Sequence, residues 1–167
     1  ATLHIHCHSD LERILTPQLE YFCKGMAYNV EFHLINPTKA EVVYEDRSVT
    51  VSSIPLRHRI PTCGFLFAEK PTPNHIIRDM IDFYKVPVFE LNRIKNGEDY
   101  VLPDGTVIPN NRLTTPPAPP RSYAYCSDTI FHRPVIEQIK GVNLLFHEAT
   151  FAQCDAQRAK ETFHTTA

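Results

Sequence analysis

Apolar and polar residues alternate along several short stretches in the first part of the chain. A period of two residues is typical of strands with one buried face, and each stretch ends at turn-forming residues. Residues 42–44 and 49–54 flank the turn Glu45-Asp46-Arg47, which predicts a hairpin. The other strands predicted here are residues 3–6, 30–34 and 64–67.

Between the predicted strands at residues 3–6 and 30–34, the pattern changes to that of a helix. Ser9 and Glu12 have the spacing of a capping box, which predicts a helix that begins at Ser9. Thr16 and Pro17 predict a restart of this helix, and Gly25 predicts its end.

Residues 123–150 predict a strand, a helix and a second strand. One apolar run stops at Asp128 and another stops at the pair His147-Glu148, with a proline and a glycine between them that fit the start and end of one helix. Short strands joined by such a crossover are usually parallel. We therefore expect an α/β fold in which the acid and the imidazole meet at one edge of a sheet.

Residues 70–121 differ in kind from the rest of the chain. Apart from a predicted helix at residues 74–84, turn signals are dense, and the segment ends in the proline-rich run 116–120. This density predicts little core-forming periodicity. We interpret the segment as an arm with a proline-stiffened stem, and an ordinary surface insertion is the alternative.

The overall composition is that of a single-domain globular protein. With 167 residues, 43% of them hydrophobic, residues 1–167 are expected to form one domain that carries the arm at about 70–121. Five cysteines without metal-finger spacing, and no apolar run of membrane-spanning length, predict a cytoplasmic protein with no membrane partner. The net charge of -2 provides no global attraction to nucleic acid, so any polyanion site must be local.

The segment from His4 to Asp10 has the sequence His-Ile-His-Cys-His-Ser-Asp and contains a His-x-His-x-Asp spacing. Such a spacing permits a tight loop to offer two imidazoles and a carboxylate to zinc. Alternation within a strand would instead place His4, His6 and His8 on one face, with Ser9 at the helix cap. We favour the strand face and assign no metal role to these residues.

Two further groups of residues carry possible chemistry. His58 lies in a loop between two arginines and Asp128 ends a predicted strand, and each residue by itself has the character of an ordinary surface or turn residue. Glu148-Ala-Thr is followed later by His164-Thr-Thr. A carboxylate that hydrogen-bonds an imidazole fixes its tautomer and makes it a general acid, whereas the alternatives are a helix cap and a polar terminus.

Four motifs, taken in chain order, resemble tRNase Z, also called ribonuclease Z, a family of the metallo-β-lactamase superfamily. They are Leu-Arg-His58-Arg-Ile-Pro-Thr-Cys-Gly-Phe, Tyr-Cys-Ser-Asp128-Thr, Leu-Phe-His147-Glu-Ala-Thr-Phe and His164-Thr-Thr-Ala. The resemblance covers essentially the whole chain. It implies part of an αβ/βα sandwich, with the arm at the position of the family's tRNA-gripping exosite.

The resemblance also implies a complete active site with two zinc ions. His58 would bind one zinc and Asp128 would bridge both, while Glu148 and His164 would protonate the departing 3′ oxygen. The implied substrate is precursor tRNA, cleaved 3′ of the discriminator nucleotide to remove the trailer. The family resemblance further implies a homodimer.

The family's His-x-His-x-Asp-His motif and its final metal-binding histidine are not in the chain. We therefore expect an internal piece of a longer protein, which binds zinc poorly and is catalytically silent by itself. Two other functions stay open. A different hydrolase of the superfamily, a phosphodiesterase or thioester hydrolase, would share His58 and Asp128 without needing Glu148 and His164, and a non-catalytic interaction module would use the arm.

Overall fold

The computed structural model describes all 167 residues of the chain. It forms two compact units, of which the second, Lys70–Pro120, is inserted between the two segments of the first, Ala1–Glu69 and Arg121–Ala167. None of the helices has the length and apolar character that a membrane crossing requires.

The secondary structure consists of short elements. The strands are β1 (Thr2–Cys7), β2 (Asn29–Leu34), β3 (Val42–Glu45), β4 (Val49–Pro55), β5 (Cys63–Glu69), β6 (His75–Ile76), β7 (Tyr100–Val101), β8 (Val107–Ile108), β9 (Thr114–Thr115), β10 (Ser122–Cys126) and β11 (Leu144–His147). The α-helices are α1 (Ser9–Phe22), α2 (Arg78–Phe83), α3 (Leu91–Lys95), α4 (Asn110–Leu113), α5 (Arg133–Ile139) and α6 (Ala156–Thr162). Two 3₁₀ turns, Val88–Glu90 and Gln153–Asp155, precede α3 and α6.

The largest sheet of the first unit has five strands in the order β11-β10-β5-β4-β3. β10 and β11 are parallel and joined through α5, so the predicted strand–helix–strand unit is confirmed. The predicted hairpin is also confirmed, because β3 and β4 pair in antiparallel. Since β4 and β10 both run antiparallel to β5, the carboxyl ends of β4, β10 and β11 lie at the same edge of the sheet.

One face of this sheet packs on α5. Ile54 of β4, Ala124 and Cys126 of β10 and Val135 of α5 form a buried cluster with Leu56. These side chains are at most 8% exposed. Burial of a large apolar side chain stabilises a fold by about 1.5–3 kcal/mol, so this cluster fixes the strands from which the catalytic candidates project.

Gly64 permits a close approach of two strands near that edge. A Cβ atom at Gly64 would collide with the backbone oxygen of Tyr125. Because this oxygen belongs to the backbone and not to a flexible side-chain end, any larger residue would push β5 away from β10. The glycine therefore keeps the last strand pairing before the site intact.

The opposite face of the five-stranded sheet is aromatic and exposed. Phe67 stacks on Tyr123 with ring centroids 5.9 Å apart, and Tyr125 stacks on Phe146 at 4.9 Å. Phe146 is 46% exposed and its neighbour on this face, Leu144, is 62% exposed. A contiguous apolar surface of this kind normally marks an interface.

The start of the chain forms a separate parallel sheet of β1 and β2, connected by α1. The predicted capping box at Ser9 is wrong, because the N-cap is His8 and no side chain caps the helix. The predicted restart is also wrong, because α1 is one helix that includes Pro17. A proline removes a single hydrogen bond of the ladder, which the remaining turns of this 14-residue helix tolerate.

The inserted unit has a core of its own, which the predicted lack of core-forming periodicity did not reveal. Its buried residues are Ile81, Val86, Ile94, Ile108 and Leu113. They come from elements so short that no helical or strand period develops within any one of them. The predicted helix 74–84 is wrong at its start, because His75–Ile76 pairs with β9 as β6 and tertiary pairing overrides local propensity.

We predict that the 167-residue chain associates with itself through the aromatic sheet face. Replacing Leu144 and Phe146 with Glu should shift sedimentation towards the monomer, because the charges oppose burial of that face. The control replaces the still more exposed Val88 and Phe89 of the inserted unit with Glu and should leave the distribution unchanged. A parent chain that sediments only as a monomer would contradict the prediction.

Candidate active site

Three of the four candidate residues follow strands that end at the same edge of the five-stranded sheet. His58 lies shortly after β4, Asp128 shortly after β10, and Glu148 directly after β11. The fourth, His164, directly follows Phe163, the C-cap residue of α6. The fold thus delivers residues that are far apart in sequence to one edge.

Hydrogen bonds join the loop that carries His58 to the loop that carries Asp128. The Arg57 amide donates to Thr129 Oγ1 at 3.1 Å, and the Ile130 amide donates to the Arg57 carbonyl at 2.9 Å. Thr129 is completely buried. Arg57 directly precedes His58 and Thr129 directly follows Asp128, so these bonds hold the two loops against each other.

The Glu148 carboxylate is the most highly bonded group of the site. Oε1 accepts hydrogen bonds from the Thr129 amide at 3.2 Å, the Thr165 amide at 3.0 Å and His164 Nδ1 at 3.1 Å. Oε2 accepts the Thr150 amide at 2.8 Å and the Thr150 hydroxyl at 2.7 Å. One carboxylate therefore ties together the loops after β10 and β11 and the loop after α6.

Glu148 is ionised under all physiological conditions. Burial by itself raises the pKa of this carboxyl, but the hydrogen bonds from the Thr150 hydroxyl and from the Thr150, Thr165 and Thr129 amides outweigh burial and lower the pKa to about 2. Glu148 is thus a permanent acceptor for His164 and holds no proton of its own.

His164 is positioned by the end of α6. Phe163 adopts a left-handed conformation with φ of 61°, and the His164 amide donates to the Ala159 carbonyl at 2.8 Å. A bridge between Phe151 and Thr166 then aligns this segment with the strand end that carries Glu148. Because the carboxylate of Glu148 only accepts, His164 Nδ1 carries the hydrogen and Nε2 is left to exchange a proton.

His58 has the hydrogen-bond pattern of a metal ligand. Its Nδ1 lies 3.0 Å from the Phe163 carbonyl, which only accepts, so Nδ1 donates and Nε2 is the nitrogen that can bind a ligand. Metal-binding histidines typically hold a backbone carbonyl in this way, which fixes the tautomer. The ring meets that of His164 edge to face, with centroids 5.0 Å apart.

Asp128 is exposed, and its carboxylate makes no hydrogen bond or ion pair within the chain. Its backbone has a φ of 38°, a left-handed conformation that costs most side chains energy and that aspartate adopts more readily than most. Strained backbone of this kind clusters at functional sites. The conformation and the free carboxylate suit a group that binds a ligand.

Sequence reasoning missed the three threonines that hold Glu148. Thr129, Thr150 and Thr165 donate to it from three separate segments. Each follows a candidate residue by one or two positions, in Asp128-Thr, Glu148-Ala-Thr and His164-Thr. This repeated placement was a signal that could have found them.

No family model matches the chain. Among curated proteins, it is 70% identical over all 167 residues to a ribonuclease Z of Phocaeicola vulgatus and 66% identical over the same length to one of Bacteroides fragilis. It covers 54% and 55% of these proteins, so the chain spans about half the length of the curated relatives it matches. A ribonuclease Z of Porphyromonas gingivalis is 52% identical over 166 residues. These matches confirm the resemblance predicted from the four motifs.

A likeness to a solved structure shows the fold. The crystal structure of human tRNase Z, short form, superposes with a TM-score of 0.63 and 17% identity, covering 99% of this chain and 53% of that one. The chain therefore shares its fold with about half of that structure, and the predicted α/β class is confirmed. The αβ/βα sandwich and the role of the arm as an exosite stay predictions.

We predict that the Thr150 hydroxyl stabilises the fold only where Glu148 is ionised. The folded-state pKa of about 2 lies below the ordinary 4.5, so the stabilisation is complete above pH 4.5 and is lost as the pH falls towards 2. Thr150→Val should lower the free energy of unfolding by about 1–3 kcal/mol at pH 7 and by less near pH 2. Urea unfolding at both pH values checks this, with Thr166→Val as control. An equal loss at both pH values would argue against the prediction.

Proposed function

We propose that this chain, which is similar over its whole length to ribonuclease Z, supplies part of the active site of a zinc-dependent endoribonuclease that removes the 3′ trailer from precursor tRNA. The observation that carries the proposal is the hydrogen bond from His164 to Glu148 beside the free Nε2 of His58. An oriented acid and a metal ligand are two of the groups that metal-dependent hydrolysis of a phosphodiester uses.

The residues present fit zinc. His58 offers the ring nitrogen Nε2, while its Nδ1 is held by a carbonyl, and Asp128 offers an exposed carboxylate without a competing partner. Nitrogen and carboxylate oxygen are normal zinc ligands. When bound, zinc lowers the pKa of a water to near neutrality and offsets the charge of the phosphate.

Two ligands are too few for a dinuclear site. We therefore propose that His58 would hold one ion, that Asp128 would be shared between two, and that the remaining ligands lie outside these 167 residues. The length of the curated relatives, about twice that of this chain, supports this division. For the same reason we expect the chain by itself to bind zinc weakly and to be inactive.

His164 is the proposed general acid. Its Nδ1–H is held by the ionised Glu148, so Nε2 can carry the proton that the departing 3′ oxygen of the tRNA requires. Glu148 acts through His164 and is a positioning residue. Thr150, which lies 3.3 Å from the same Nδ1 and donates to Glu148, restricts the orientation of both side chains.

The inserted unit is the proposed contact for the body of the tRNA. Two of its cations are engaged in ion pairs, since Arg93 pairs with Glu90 and Glu98, and Arg78 pairs with Asp82. Exposed aromatic rings are also available, because Phe83 and Phe89 are 73% and 77% exposed. Aromatic rings stack on unpaired bases without needing a charged partner.

The proposal also includes a cytoplasmic location and a homodimer. All five cysteines are free, which fits a reducing compartment such as the cytoplasm. A homodimer in which one subunit's arm holds the substrate of the other follows from the resemblance.

A second hydrolase class, a phosphodiesterase or thioester hydrolase, remains the alternative function. The need for His164 distinguishes the two, because the alternative hydrolase would not require this residue.

We predict that His164→Ala in the protein that completes this site lowers kcat for precursor tRNA by about 10²–10⁴-fold. It should leave hydrolysis of bis(p-nitrophenyl) phosphate nearly unchanged, because nitrophenolate departs without being protonated. Thr166→Val serves as control. Unimpaired precursor cleavage by the His164 variant would favour the other hydrolase class.

We predict that replacing Phe83 and Phe89 with Ala raises KM for precursor tRNA. Base stacking on an aromatic ring is worth about 1–3 kcal/mol, which corresponds to roughly 5–150-fold per stacked base. Hydrolysis of bis(p-nitrophenyl) phosphate should not change, since that substrate has no nucleic-acid base to stack on the rings. The control, Val107→Ala, removes another exposed apolar side chain of the same unit. If replacing Phe83 and Phe89 leaves KM for precursor tRNA as unchanged as Val107→Ala does, the result would count against a tRNA-binding arm.

A further inference from the structure

Histidines cluster on the parallel sheet of β1 and β2, and the proposed nuclease function does not use them. In the register of this pair, His4 lies opposite Glu31, and His6 lies opposite His33. Side chains alternate between the two faces of a strand, so all four project from one face. Sequence reasoning identified the histidines of β1 but had no means of finding their partners on β2.

Three of these side chains come within ligand distance of one another. His4 Nδ1 is 2.9 Å from His33 Nε2 and 3.4 Å from Glu31 Oε2. One nitrogen or oxygen atom from each of the three lies within 4.8 Å of the other two. In tetrahedral zinc sites with bonds of about 2.0–2.1 Å, neighbouring ligand atoms are roughly 3.3–3.4 Å apart. A cation would therefore require the two imidazoles to separate by only a few tenths of an ångström.

The chemistry of the three groups suits a divalent cation. In the contact between His4 and His33, one ring nitrogen must donate and the other accept. A cation would instead use both nitrogens as lone-pair donors, and the Glu31 carboxylate would offset part of its charge. Two imidazoles and one carboxylate form a zinc donor set that leaves a fourth position for water.

The surroundings restrict the geometry of this cluster. The His6 ring stacks on that of His33, with centroids 4.7 Å apart and planes 18° apart, and meets Tyr44 edge to face at 6.2 Å. The ladder between β1 and β2 runs over six residue pairs, so His4 and Glu31 are held opposite each other by backbone. Ligands on paired strands are placed more accurately than ligands on loops.

We propose that His4, Glu31 and His33 form a surface site for a divalent transition-metal cation, Zn²⁺ by its donor set, that links β1 to β2. None of these residues is assigned to the active site, and the inference does not depend on the proposed nuclease function. A two-stranded sheet is only marginally stable alone, so an ion shared by both strands would stabilise it. Any ligand that binds the folded state alone raises the unfolding temperature.

The experiment titrates the metal-free protein with Zn²⁺ and measures bound zinc per chain together with the unfolding temperature. It uses a His58→Ala, Asp128→Ala background, which removes the proposed active-site ligands of this chain. His33→Ala should weaken zinc binding at least about tenfold and abolish most of the zinc-dependent rise in unfolding temperature. The matched control, His75→Ala, removes an exposed histidine of the inserted unit and should change neither value.

Glu31→Gln provides a second variant that preserves the shape of the side chain. It should also weaken zinc binding, while its metal-free unfolding temperature stays close to that of the parent because Glu31 is exposed on a strand. If His33→Ala does not fold without metal, Glu31→Gln decides the question. Zinc binding equal to that of His75→Ala in both variants would overturn the proposal.

Discussion

The hydrogen bonds to the Glu148 carboxylate hold the candidate active site together. They reach it from the loops after β10 and β11 and from the loop after α6, which the sheet alone would not join. A buried carboxylate needs such donors, since without them burial would favour its neutral form. The group that orients His164 is thus also the group that fixes where the Asp128 loop and the His164 loop lie.

Much of the site followed from the sequence, because strand ends are local features. Asp128 and Glu148 each follow an apolar run, and the parallel crossover between those runs places both at one edge. The contact from His58 to Phe163 joins residues 105 positions apart, and nothing in the local pattern of either residue predicts it. The family resemblance, rather than periodicity, brought His58 and His164 into the same hypothesis.

The parts of the fold that sequence reasoning missed are those whose structure depends on tertiary contacts and not on the local sequence pattern. The inserted unit contains many turns, and their density predicted little core-forming periodicity. Its elements are nevertheless closed around a single cluster that includes Ile81, Ile94 and Leu113. Asn110 adds a polar anchor to this unit, since its side-chain amide donates to the carbonyls of Ile94 and Glu98. Neither the buried cluster nor the hydrogen bonds of Asn110 produce a periodic pattern within any one element, so the sequence alone does not indicate them.

The junction of the inserted unit with the sheet is closed by one pair of residues. Arg121 Nη2 donates to Glu69 Oε1 at 2.7 Å, and the Glu69 amide donates to the Arg121 carbonyl at 2.9 Å. The chain therefore leaves and re-enters the sheet at one point, directly beyond the pairing of Ala68 with Ser122. Loop-closure entropy grows only slowly with loop length. Insertions or deletions between Glu69 and Arg121 can thus change the length of this segment while the register of β5 with β10 stays unaltered.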